Sequence, residues 1–145
     1  MNSSKLWNSV VAGAAGACAL TIVHEATRRV IPNAPRMDIV GMRGIAATMR
    51  AIGQRPPSKL HETALVSDLV FNTAYYSAVG AAGRDKALST GTLLGLGAGL
   101  GAVGLPQPLG LGVGPSDRTF ATQLMTVGLY ALGGLVAGAA YRAIH

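Results

Sequence analysis

The stretch TFATQLMTVGLYALGGLVAGAAY, residues 119–141, contains no Asp, Glu, Lys or Arg. A bilayer core about 30 Å thick takes roughly 20 helical residues at about 1.5 Å each. A helix of that length in water would carry a charged face, and this one has none. The stretch therefore predicts a membrane span. Working outward, three more segments meet the same requirement. One runs over about 6–27 and is free of charge from Leu6 to His24; one over about 62–83 carries a single internal charge, Asp68. The last begins near Ala87 and ends by Leu105, because Pro106 and Pro108 cannot continue a helix.

Composition agrees. Hydrophobic residues make up 50% of the 145-residue chain, which a soluble protein would also tolerate, but only 12% are charged, against about 25% in soluble domains. The 20 glycines lie largely within apolar stretches, where small residues let membrane helices approach. The formal charge of +6 with few aromatics points to anionic lipid headgroups and away from nucleic acid. A lone Cys18 excludes an internal disulfide and reads as a small packing residue. The first apolar run reads as a retained helix, because His24, Glu25, Arg28 and Arg29 follow it where a cleavage site would stand.

The region between the first two spans is different. Pro32, Pro35, Pro56 and Pro57 bracket a candidate helix over about 36–53. Met42, Ile45, Met49 and Ile52 fall on one face, and Arg36, Arg43 and Arg50 on the opposite one. The segment is too charged to span and is expected to lie in the interface, arginines toward phosphates. A helix packed on the rest of the protein is the alternative. The expected fold is thus all-α: an integral membrane four-helix bundle, one domain over 1–145, with an interfacial amphipathic helix between the first two spans.

The first loop holds Arg28, Arg29, Arg36, Arg43, Arg50, Arg55 and Lys59, and Arg118 falls on the same side; Lys5, Arg84, Lys86 and Arg142 fall on the other. The positive-inside rule places loop 28–61 in the cytoplasm and both termini outside. Gly91, Gly95 and Gly99 share a face of the third span, and Gly134 and Gly138 one of the fourth, which predicts close packing within the bundle or between copies.

Charged groups inside spans are functional candidates. Asp68, Asn72 and Tyr75 or Tyr76 share a face of the second span and form a candidate path for a proton, ion or small polar ligand, or else a structural network. Two His-Glu pairs, His24-Glu25 and His61-Glu62, come to one membrane face in antiparallel helices. Their side chains suit zinc, iron or manganese, although the recognisable His-Glu-x-x-His spacing is missing. No catalytic signature stands out, and the residues imply no particular cofactor.

The run His24-Glu25-Ala-Thr-Arg-Arg-Val-Ile-Pro-Asn-Ala-Pro-Arg-Met-Asp38 resembles the end of the first span in small bacterial four-helix inner-membrane proteins, among them, more distantly, the YagU-like group. The resemblance covers about a tenth of the chain. It implies a bacterial inner membrane and four spans and assigns no functional residue. The leading expectation is a non-enzymatic membrane protein, either an accessory subunit of a larger membrane complex or a small homo-oligomer. A channel or transporter using the Asp68 face is the second, and a membrane metal protein or enzyme using the His-Glu pairs the third.

Overall fold

A computed structural model describes residues 3–144. The described chain is 76% helix with no strand. Five α-helices follow in order: α1 (Ser3–Val30), α2 (Met37–Ala51), α3 (Leu60–Tyr76), α4 (Ala87–Gly104) and α5 (Phe120–Ala143). A 3₁₀ segment, Ser77–Ala82, continues α3 without a break. Helices α1, α4 and α5 are long and apolar enough to cross a membrane. Large apolar side chains point outward from four helices: Ile22, Val66, Val70, Phe71, Leu93, Leu100 and Leu124 are all more than half exposed. A surface so apolar is what a lipid-facing protein presents.

Local chemistry explains the helix ends. Helix α1 runs past the expected boundary to Val30, because Glu25 pairs with Arg28 at i+3 and Arg29 at i+4; Pro32 then stops it. Helix α5 starts behind Thr119, whose side chain accepts a hydrogen bond from the Thr122 amide at 3.1 Å. Helix α2 closes on Gly53, at φ +74°, whose amide reaches the Arg50 carbonyl at 3.0 Å while that of Gln54 reaches Met49 at 2.8 Å. The 62–83 prediction differs most, since the α-helix gives way to 3₁₀ at Ser77. There Gly80 is pressed onto α1 so closely that a Cβ would strike the Ser9 side chain.

Helix α5 occupies the middle, with α4 on one flank and α1 on the other; α3 packs on α1, and α2 on α3. At one end of the bundle Asn8 donates to the Ile144 carbonyl at 3.3 Å and Arg84 to the Arg142 carbonyl at 3.3 Å. At the other end Thr122 donates to the Asn33 carbonyl at 2.9 Å and Arg118 to the Pro32 carbonyl at 3.0 Å. Helices α1, α3, α4 and α5 therefore run alternately up and down. The α4–α5 seam is made of backbone. Gly91, Gly95 and Gly99 are buried against α5, and a Cβ on Gly95 would lie 2.7 Å from Ala131 Cα. A Cβ on Gly138 would lie 2.9 Å from Leu88 Cα, and one on Gly134 would lie 2.8 Å from the Gly95 nitrogen. All five glycines are spent inside one chain. Cys18, expected to pack, is exposed instead, because α1 turns that side outward together with Ile22.

Candidate functional site

Helices α2 and α3 start side by side. His61 Nδ1 lies 3.9 Å from Asp38 Oδ2, and a Cβ on Gly41 would sit 3.5 Å from Ala64 Cβ. Beyond that contact the helices enclose a groove of about 500 Å³. Gly41, Gly44, Ile45 and Met49 line it from α2, and Ser67, Asp68, Phe71 and Asn72 from α3. The lining is mostly apolar, with Asp68 its one charged group. This volume falls in the range of small-molecule sites, which are apolar with a few placed polar groups.

Asp68 also reaches inward. It lines two small chambers of about 10 and 20 Å³, each space for about one water molecule. The first is shared with Thr126 and Tyr130 of α5, the second with Glu25 and Asp38, and Thr21, His24 and Met37 border both. The Thr21 hydroxyl is buried and has no hydrogen-bond partner among the described residues. Asn72, one turn beyond Asp68, is buried and lines the groove with it. Asp68 thus borders the groove and both chambers, and His24 borders the chambers.

At that end the charges are tied. Asp38 accepts two hydrogen bonds from Arg36, at 2.9 and 2.8 Å. Burial works to raise the Asp38 pKa, but the Arg36 hydrogen bonds and the charges of Arg36, Arg28 and His24 outweigh it, leaving the carboxyl below its ordinary range. The sign follows. A carboxyl lowered by folding stabilises the fold above its unfolded value of about 3.9 and loses that contribution as pH falls through the folded value. Amide exchange in residues 37–51, corrected for intrinsic rate, should rise as the pH drops below about 4. Asp38→Asn should show elevated exchange at neutral pH and no acid step. Equal protection of the wild type at pH 6 and pH 3 would contradict this.

The candidate residues of the sequence are thus separated by the structure. Asp68 and Asn72 share the groove. Tyr75 and Tyr76 do not: their hydroxyls donate to the Leu94 carbonyl of α4 and the Tyr130 carbonyl of α5, at 2.9 and 2.8 Å, tying α3 to the far side of the bundle. His24 is buried, with Nε2 3.0 Å from the Pro35 carbonyl and 3.4 Å from the Met37 amide. Glu25 is held by Arg28 at 2.6 Å, and Glu62 faces Lys59 at 3.5 Å. The two His-Glu pairs stand at one end of the bundle but do not converge, and among the described residues no three His, Cys, Asp or Glu are grouped to hold a metal. Of the arginine stripe, Arg36 is taken by Asp38, whereas Arg43 and Arg50 border a second cleft, beside loop 110–113. Thr21, Ser67 and the groove glycines Gly41 and Gly44 carry little signal in the sequence; Gly41 alone shares the Ile45 face of α2, away from its arginines.

The α2–α3 contact has a direct check. A Cβ separation of 3.5 Å suits a disulfide, so Gly41→Cys with Ala64→Cys, in a Cys18→Ser background, should cross-link almost completely under mild oxidation. Mass spectrometry of a digest reads the bond; free thiols at both positions would show that α2 lies elsewhere.

No protein-family model, no curated protein and no solved structure matches this chain.

Proposed function

We propose that this chain is a four-span membrane transporter that takes a small cation with an apolar body into the α2–α3 groove and holds its charge on Asp68. The supporting observation is the placement of Asp68 where the groove meets the two water-sized chambers. A carboxyl in an apolar span is costly to keep and is placed where a charge passes or binds. The fourth span in this reading is α3 with its 3₁₀ extension. Its 17 and 6 residues give about 37 Å at the usual rises, enough for the hydrocarbon core. A bacterial inner membrane follows from the YagU-like resemblance of residues 24–38. A cytoplasmic loop 28–61, with both termini outside, follows from the excess of basic residues at that end.

The accessory-subunit reading is weaker, because the glycine faces that would recruit a partner are used between α4 and α5. The test is flux. Protein reconstituted into vesicles should carry a small lipophilic cation down an imposed gradient faster than protein-free vesicles do. Equal rates across a panel of such cations, and for protons, would overturn the proposal.

A further inference from the structure

The arginine face of α2 stands over a second cleft, of about 450 Å³, closed on its other side by the loop between α4 and α5. Arg43, Arg50, Gly110, Gly112 and Val113 line it, and no carboxylate does. Arg43 is held in place there: its Nη1 donates to the Leu111 carbonyl at 2.8 Å. Gly112, at φ +84°, leaves the space the guanidinium occupies, since a Cβ would come within 2.8 Å of that nitrogen. One of five guanidinium N–H groups is used by that bond, and the others remain for a ligand. Arg50 borders the same cleft two turns further along α2.

Two guanidinium groups in a lining that holds no carboxylate select an anion, the nearby Asp117 being engaged by the Gly114 amide at 2.7 Å, and the planar fork of each fits phosphate oxygens. The surroundings identify the anion's carrier. Val113 of the lining, and Leu109 and Ile52, which stand within two residues of lining positions in the chain, are 61%, 65% and 64% exposed. A free phosphate has no use for such a rim, but acyl chains do. The cleft also lies at the end of the bundle where α4 ends and α5 begins, at headgroup depth in the membrane reading. We propose that this cleft seats the phosphate of an anionic phospholipid, with Arg43 and Arg50 on its oxygens and the chains along the Leu109–Val113 rim. The proposal rests on the membrane reading but not on transport at Asp68.

The test uses full-length protein in mild detergent, titrated with phosphatidylglycerol or phosphatidylcholine and followed by native mass spectrometry. At about 1 kcal/mol for each basic residue near an anionic surface, Arg43→Ala with Arg50→Ala should weaken phosphatidylglycerol binding about 30-fold. Arg29→Ala with Arg55→Ala removes the same charge elsewhere at that end and should change binding less than about twofold if position matters. Arg50→Ala alone leaves the Arg43–Leu111 bond intact and should cost about fivefold, which keeps the test valid if the double variant loosens the loop. Equal losses in the two double variants, or equal binding of the two lipids, would overturn the proposal. So would displacement of the lipid by free glycerol phosphate at matching concentration, which would make the site one for soluble phosphate.

Discussion

Gly134→Ala is expected to cost about 2–3 kcal/mol of unfolding free energy, the upper part of the range for overpacking. The added methyl group would enter the Gly91 carbonyl and approach the Gly95 nitrogen at 2.8 Å and the Gly91 carbonyl carbon at 3.0 Å. All three obstacles are backbone, so no rotamer change relieves them and α4 must move away from α5. Gly91→Ala should cost a similar amount, because its Cβ would lie 3.1 Å from both the Gly134 carbonyl carbon and the Gly138 nitrogen. The control is Gly128→Ala. Nothing lies within 4 Å of the Cβ there, and replacing an open helical glycine by alanine should gain about 0.5–1 kcal/mol. Reversible unfolding in mixed detergent and dodecyl sulfate reads all three. If Gly134→Ala and Gly128→Ala shift the midpoint alike, the glycine seam does not hold the bundle together.

The second large effect concerns the groove. Asp68→Asn keeps the shape of the side chain and removes the charge that would meet a cationic solute. Truncating one partner of a buried charged interaction costs about 2–5 kcal/mol, so cation flux should fall roughly 30-fold or more. Asn72→Ala removes the amide that lines the groove one turn from the carboxyl; a hydrogen bond to the solute there is worth about 1 kcal/mol, hence about fivefold. Both variants should elute as the wild type does on size exclusion, since Asp68 is tied to no arginine or lysine among the described residues. Unchanged flux in Asp68→Asn would remove that carboxyl from the pathway and leave it a structural role.

The two effects also show what was legible in the residues alone. The charge-poor stretches were readable because lipid forbids unpaired backbone and tolerates few ions, so length and charge locate helices without knowledge of their neighbours. The four-residue spacing of Gly91, Gly95 and Gly99 likewise announced a close approach, but spacing cannot say to which helix. For α2 the ambiguity was physical. A face carrying Ile45 and Met49 is satisfied equally by acyl chains or by a neighbouring helix, and the structure sets it on α3. The groove was invisible because it opens beside the close approach of Gly41 to Ala64, which matters only once Asp68 and Phe71 stand opposite. Tyr75 and Tyr76 were assigned to a polar track by their helical face. A tyrosine hydroxyl reaches well beyond its own helix, and theirs end on carbonyls of α4 and α5.

The central position of α5 bears on how the protein is made. Helices emerge from the ribosome in order, and the one that both α1 and α4 lean on is made after both. Until residue 120 is synthesised, Gly16 and the Gly91–Gly99 row have nothing to close against. A nascent chain halted before that point would hold loosely associated segments, with small-residue stripes open to lipid and to quality-control proteases. The core of this fold therefore closes only once α5 is made, after the two helices that flank it.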